Sequence, residues 1–168
     1  PDYMGNTKAE IVRYRLDAAG KWMKQGALPI PAGAAATNIV ELNSEKAYVS
    51  LQRLGIVMAF NPKTMTKLTD IDLNSLKQPE TNVSPAAMII RDGKLFVGLN
   101  QMNAQYMPAR NNIELALIDT KTDKLEKHIV NTTLGLSFAT RPIDAGSIFM
   151  DEQKNIYINC IGAFGFIP

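Results

Sequence analysis

Arginine, tyrosine and methionine residues occur in segments between the strand-like stretches of this sequence, and these residue types suit the binding of a small ligand. Arg53 stands in a short segment, Met102, Tyr106 and Arg110 stand in a longer one, and Arg141 stands in a third. A guanidinium group pairs bidentately with carboxylates and stacks on flat rings, while methionine adapts its shape to an irregular partner. These five residues are therefore the candidate binding site, for a small ligand that is anionic or aromatic.

The residues that most often perform catalysis do not form a recognisable set. Cys160 is the only cysteine and His128 the only histidine, so a histidine-based metal site would need ligands from outside this chain. Cys160 aligns with apolar strand positions, which predicts a buried structural thiol. His128 lies among charged residues, which predicts a solvent-facing side chain. We therefore predict no catalytic residue, no metal site and no cofactor in this chain.

A recurring hairpin pattern indicates the elements that position the candidate residues. An apolar strand, a tight polar turn and a strand alternating about an aromatic residue occur around Tyr48, again around Phe96 and again around Tyr157. Strict alternation is typical of a half-buried strand, and Asp92-Gly93 between two such strands favours a hairpin.

A second hairpin pattern repeats out of phase with the first. Its turns open on Asn61 and Asp119, whose side chains can hydrogen-bond their own backbone two residues on. Interleaving the two patterns predicts units of four antiparallel strands, A to D, repeating about every 40–60 residues, as in the blades of a β-propeller. Trp22 then lies on an outer strand, where we expect it to pack between blades.

The predicted fold is all-β: a β-propeller fragment of about three four-stranded antiparallel blades, arranged as half a blade, two full blades and half a blade. Residues 1–168 form one partial propeller domain, with blade breaks near 29–36, 73–85 and 131–145. Because a closed ring needs about 4–8 blades, we expect the remainder of the propeller in a separate fragment or another part of the polypeptide. An open β-sandwich is the alternative. The predicted strands are C 10–17 and D 21–28, then A 37–43, B 46–52, C 54–60 and D 65–72, then A 86–91, B 94–99, C 112–118 and D 124–130, then A 146–151 and B 155–161.

Blade geometry sorts the connections onto two faces. The B–C loops and D–A connectors emerge together on what we call the loop face, and the A–B and C–D turns emerge on the opposite turn face. The turns are short and alike, whereas the loop-face segments vary widely in length, which is typical of binding residues carried on a rigid scaffold. All five candidate residues belong to loop-face segments, so the ligand is predicted to bind there.

Composition excludes several classes of function. The chain has 168 residues, of which 46% are hydrophobic and 20% charged, with a net charge of +2. No basic stripe indicates nucleic-acid binding, and no apolar run approaches the ~18 residues of a membrane-spanning helix. The chain opens at Pro1 without an initiator methionine, which predicts a processed or trimmed start.

The order of strand and turn residues in 10–17, 117–125 and 149–160 resembles that of the extracytoplasmic lipoprotein propellers of Bacteroidetes. This group is akin to surface-layer and YncE-like propellers. The resemblance covers nearly the whole chain and carries no motif for an activity. It implies a periplasmic or cell-surface location, with a lipid anchor in the outer membrane on a cysteine upstream of Pro1. Some members of the broad group hold ferric siderophores beside an outer-membrane transporter, which implies such a ligand and such a partner in iron uptake.

Two other classes of function stay open. A propeller enzyme of the lactonase or quinoprotein-dehydrogenase kind needs metal-binding carboxylates near the central channel, for which the sequence offers Glu41 and Asp144. A protein-interaction scaffold needs only an exposed surface that a stable partner covers.

Overall fold

The computed structural model describes residues 9–105, 113–131 and 148–159. Within these residues the chain forms twelve strands and two short 3₁₀ turns, Gln52–Leu54 and Asn74–Leu76, and no helix of the described part has the length and apolar character to cross a membrane. In chain order the strands are β1 Ala9–Leu16, β2 Trp22–Ile30, β3 Ala36–Asn43, β4 Lys46–Leu51, β5 Ile56–Asn61, β6 Thr66–Asp72, β7 Pro85–Arg91, β8 Lys94–Leu99, β9 Ile113–Asp119, β10 Lys124–Asn131, β11 Ile148–Met150 and β12 Ile156–Ile158.

The strands form four antiparallel sheets in which consecutive strands pair. Strands β1 and β2 form blade 1, β3 to β6 form blade 2, β7 to β10 form blade 3, and β11 and β12 form blade 4. The first strands of successive blades lie against each other, β3 against β7 and β7 against β11, as strands do around a common axis. The predicted fold, half a blade, two full blades and half a blade, is confirmed.

Alternation along each strand divides its side chains between two interfaces. In β4, Ala47 and Val49 belong to the hydrophobic core that blade 2 shares with blade 1, whereas Tyr48 between them belongs to the core shared with blade 3. All three are at most 1% exposed. Because the side-chain period of a strand is two, one strand supplies both cores, and a sheet covered on both faces needs apolar residues at nearly every position.

Trp22 lies on the side of blade 1 that faces away from blade 2, so its predicted packing between blades stays a prediction. It is 66% exposed, and its ring meets the ring of Tyr14 edge-on with 5.9 Å between centroids. Ile11, Leu28 and Ile30 form the side of blade 1 that packs against blade 2. Trp22 lies on the other side of this two-stranded sheet, which no described residue covers.

Asparagine and aspartate side chains shape the C–D turns as the sequence predicts. Oδ1 of Asn61 accepts hydrogen bonds from the backbone N–H groups of Lys63 and Thr64, at 2.9 and 3.0 Å. Oδ1 of Asp119 accepts two equivalent bonds, both of 2.9 Å. These bonds satisfy backbone donors within the turn, so both turns are built from local interactions.

Polar contacts join blades 2 and 3 at the turn face. The Tyr48 hydroxyl donates to Oδ1 of Asp123 at 2.8 Å, and Nζ of Lys46 donates to Oδ2 of the same carboxylate at 2.7 Å. Burial, together with the hydrogen bond to Asp123, raises the pKa of Tyr48 well above its ordinary value. The tyrosine therefore stays protonated and joins the hydrophobic core to a polar anchor between the two blades.

The ionised carboxylate of Asp119 should stabilise the fold, and protonation in acid should remove this contribution to the free energy of unfolding. Nζ of Lys94 donates to Oδ2 of Asp119 at 2.7 Å, and this bond, with the turn N–H groups, lowers the pKa of the carboxyl well below 3.8. Because the pKa is lower in the folded state than in the unfolded state, the contribution is present above about pH 4 and is lost as the pH falls below it. Urea unfolding at a series of pH values should show a shallower acid loss of stability for Asp119→Asn, which keeps a turn-forming side chain. Lys94→Gln should flatten the same limb; slopes parallel to the unmodified protein in both variants would contradict this account.

Gly55 is expected to be intolerant of any side chain. It has a φ of +69°, and a Cβ there would lie 2.4 Å from Oδ1 of Asn74 and 2.8 Å from Cγ1 of Val83. Gly55→Ala should lower the free energy of unfolding by about 2–5 kcal/mol, from left-handed strain plus overpacking. Gly20→Ala is the matched control, since Gly20 has a φ of +78° with nothing within 4 Å of an added Cβ. It should lose only the strain, about 1–2 kcal/mol; equal losses in denaturant titrations would show that the contact with Asn74 and Val83 is unimportant.

Candidate functional site

The B–C loop of blade 2 is held on the loop face by backbone hydrogen bonds. The N–H of Gln52 donates to the carbonyl of Ala35, and the N–H of Arg53 donates to the carbonyl of Ala34, each at 3.0 Å. Residues 31–35 connect blade 1 to blade 2, so the loop rests on the connector that precedes its own blade. The backbone of Arg53 is thereby fixed, while its side chain remains partly exposed.

Asn82 links this loop to blade 3. Its Nδ2 donates to the carbonyl of Arg53 at 2.9 Å. Its backbone N–H donates to the carbonyl of Met102 at 2.6 Å, and the N–H of Met102 donates back at 2.9 Å. Two of the five predicted site residues, Arg53 and Met102, are therefore tied to one asparagine in the connector between blades 2 and 3.

The other predicted site residues cannot be placed beside them. Tyr106, Arg110 and Arg141 lie outside the described residues, so their position relative to Arg53 stays a prediction. Met102 itself is only 6% exposed, and Nε2 of Gln52 lies 3.8 Å from its sulfur. In the described part of the chain, Arg53 is thus the predicted residue with side-chain surface on the loop face.

A buried polar cluster lies at the loop end of blade 3, and sequence reasoning missed it. Gln101 lies two residues after strand β8 and Glu114 lies in strand β9, and each residue is at most 3% exposed. Nε2 of Gln101 donates to Oε2 of Glu114 at 2.9 Å, and Nε2 of His128 lies 2.9 Å from the same oxygen. A buried carboxylate is expensive to desolvate unless it is paired, and these two side chains provide the pairing.

His128 is therefore not the solvent-facing residue that its charged neighbours in sequence suggested. Its side chain is 21% exposed and contacts a carboxylate that is 1% exposed. The signal was present in strand β9, where Glu114 interrupts an apolar alternation at a position that faces the core between blades 2 and 3. An acidic residue at such a position requires a partner from a neighbouring strand, and β10 carries the only histidine.

Gln101 also holds the connector that leads into blade 3. Its Nε2 donates to the carbonyl of Leu76 at 3.0 Å, and its Oε1 accepts from the Thr81 hydroxyl at 2.8 Å and from the N–H of Gln78 at 3.3 Å. One fully buried amide thus satisfies three groups of residues 76–81. The connector is therefore positioned by a side chain from the segment that follows strand β8.

Some buried polar atoms at this end of blade 3 have no hydrogen-bond partner. These atoms are Oε1 of Glu114 and both polar side-chain atoms of Asn100, among the residues that the structure describes. Each such atom costs about 1–3 kcal/mol when left unsatisfied. Blade 3 therefore keeps unused hydrogen-bonding capacity close to the loop face.

Carboxylates for a metal centre do not converge in the described ranges. No three His, Cys, Asp or Glu side chains of residues 9–105, 113–131 and 148–159 cluster as a metal site requires. Glu41 is exposed near the end of β3, and Asp144 and Cys160 lie outside the described residues.

Replacing Gln101 should loosen the connector. Gln101→Leu removes the acceptor of the Gln78 N–H and the donor to Glu114, so it should lower the free energy of unfolding by about 2–4 kcal/mol. Hydrogen exchange at the Gln78 amide should accelerate more than exchange in β5. Gln25→Leu is the control, because the Gln25 amide is exposed and makes one long bond of 3.4 Å; its effect should stay within about 0.5 kcal/mol. Unchanged exchange at Gln78 in Gln101→Leu would refute the anchoring role.

Comparison with known proteins adds structural likeness at low sequence identity. No known protein family and no curated protein matches the chain. Among solved structures, it is similar to one titled "Streptogramin B lyase structure", with a TM-score of 0.43 and 11% sequence identity over 89% of this chain and 55% of that chain. The chain thus spans about half the length of that structure. The assignment of propeller blades stands on the sheet order and the contacts between first strands.

Proposed function

We propose that this chain is part of an extracytoplasmic propeller that binds a small anionic or aromatic ligand on its loop face. The observation that carries the proposal is the anchoring of Arg53, whose N–H and carbonyl bond Ala34 and Asn82 from two different connectors. An anchored backbone leaves less conformational freedom for the segment to lose on binding, and such preorganisation favours affinity.

The chemistry of the loop face favours a ligand with several acceptor oxygens. Arginine donates bidentately to carboxylate-like oxygens and also stacks on rings. The predicted partners Tyr106, Arg110 and Arg141 belong to segments that the sequence assigns to the loop face, after the second strand of blade 3 and before blade 4. A ferric catecholate siderophore combines negative charge with aromatic rings, so we propose it as the ligand, in an iron-uptake role at the outer membrane beside a transporter, with a lipid anchor.

The two half-blades support a further partner, the remainder of the same propeller. In the full blades the third strand pairs with the second, β5 with β4 and β9 with β8. Strand β1 occupies the position of a third strand, yet within the described residues it pairs only with β2. A two-stranded sheet is marginally stable alone, so the rest of the polypeptide is proposed to complete these blades and close the ring.

The full-length protein should bind a ferric tris-catecholate siderophore with a Kd below about 10 μM, followed by intrinsic fluorescence. Changing Arg53, Arg110 and Arg141 together to Ala should weaken binding at least about tenfold, which corresponds to about 1.4 kcal/mol. The physical reason is the loss of the guanidinium donors that face the ligand oxygens.

A matched variant separates site binding from general attraction of charges. Arg15→Ala, Lys21→Ala and Lys121→Ala together remove the same net charge from exposed residues away from the loop face, and this variant should bind like the unmodified protein. An equal loss in both triple variants would refute the choice of face. Absence of binding at 10 μM siderophore would refute the siderophore itself.

A further inference from the structure

A cleft opens at the turn face, on the side of the blades opposite to Arg53. It has a volume of about 280 Å³ and is lined by residues of blades 1 and 2. Strand β1 contributes Arg13, the A–B region of blade 2 contributes Glu41 and Ser44, and the C–D turn contributes Pro62 and Lys63. The cleft therefore lies where two blades meet, and one side chain from blade 1 reaches it.

The Arg13 guanidinium makes hydrogen bonds to described residues through one nitrogen, Nη1, and none through its Nε–Nη2 edge. Nη1 donates to the carbonyl of Pro62 at 3.0 Å and to the carbonyl of Lys63 at 2.7 Å. Nε is buried with no hydrogen-bond partner, and Nη2 donates to none of the described residues. The Nε–Nη2 edge, which can present two parallel N–H donors to a carboxylate or phosphate, thus has no acceptor.

The turn that holds Nη1 is itself rigid. Oδ1 of Asn61 accepts from the N–H groups of Lys63 and Thr64, which sets the direction of the two carbonyls that Arg13 contacts. A guanidinium fixed at Nη1 has little freedom to turn toward solvent. Its unused edge is preorganised, and forming bonds there would remove the penalty of an unsatisfied buried donor.

The two cationic side chains at the cleft make no ion pair with a described carboxylate. Neither Arg13 nor Lys63 has an aspartate or glutamate oxygen of the described residues within 4.0 Å, whereas other lysines, including Lys46 and Lys94, have one. Glu41 lines the same cleft but lies beyond ion-pair distance of both. Two cations and one carboxylate give the cleft a net positive charge.

We propose that this cleft binds a small anion through a carboxylate or phosphate group. The Nε–Nη2 edge of Arg13 donates to the anion, Lys63 adds charge, and the Ser44 hydroxyl adds a donor. Lys63 and Ser44 are exposed, and exposed side chains change rotamer within nanoseconds, so both can turn toward an anion in the cleft. This site shares no residue with the loop face and does not depend on the function proposed above.

The direct test is an NMR titration of ¹⁵N-labelled full-length protein at constant ionic strength. Inorganic phosphate and succinate are the two probes, and the Arg13 Nε–H resonance, identified by its absence in Arg13→Lys, is the readout. A saturable shift with either probe supports the site, and the probe that produces it assigns the group as phosphate or carboxylate. No saturable shift with either probe up to about 50 mM would overturn the proposal.

Charge variants of exposed residues should change anion affinity in opposite directions. A purely structural role for Arg13 would not predict this. Lys63→Gln should weaken anion binding about 2–5-fold, and Glu41→Gln should tighten it by a similar factor, as expected for a surface charge contributing up to about 1 kcal/mol. Lys67→Gln, which removes a lysine paired with Asp70, should leave binding unchanged. Weaker or unchanged binding in Glu41→Gln would overturn the placement of the anion in this cleft.

Discussion

Burial of both faces of each blade is the constraint on which the rest of the structure depends. Blade 2 satisfies it, because Val49 and Met58 pack toward blade 1 while Tyr48 and Ala59 pack toward blade 3. Neither core can form without the neighbouring sheet, since the central strands β4 and β5 of blade 2 divide their apolar residues between the two. The terminal half-blades show the consequence: Trp22 on blade 1 and Phe149 on blade 4 are more than half exposed.

The same constraint determines where polar groups are used. At the turn face, an asparagine or aspartate satisfies each C–D turn of blades 1 to 3 from within, so side chains of a neighbouring blade can donate to carbonyls that already have fixed directions, as Arg13 does at Pro62 and Lys63. At the loop face the connectors are irregular, and their backbone groups are satisfied by Gln101, which follows strand β8, or by Asn82 of a connector. The C–D turns are therefore shaped by local bonds, whereas the connectors of the loop face depend on contacts between distant residues.

This difference explains how far the sequence could predict the molecule. Strand β8 was predicted at residues 94–99 and lies there, and most other boundaries fall within one or two residues, because alternation and turn residues are local signals. The Gln101–Glu114–His128 cluster was not predicted, since its members are 13 and 14 residues apart and meet only through strand register. The Arg13 cleft depends on a contact across 49 residues between two blades, and nothing near Arg13 in sequence indicates it.

The two proposed sites arise differently, because the loop face has long connecting segments and the turn face has short ones. On the loop face the variable segments carry the side chains, and Asn82 positions Arg53 relative to blade 3, so a change in blade packing would move the site as a whole. On the turn face the segments are short and uniform, and a binding surface can arise only where a side chain crosses from one blade to the next. Arg13 is such a side chain, and the bonds that fix its Nη1 to blade 2 leave its Nε–Nη2 edge without an acceptor among the described residues. A propeller face with short turns can therefore place unsatisfied donors between blades, even where no single turn has the length to form a site.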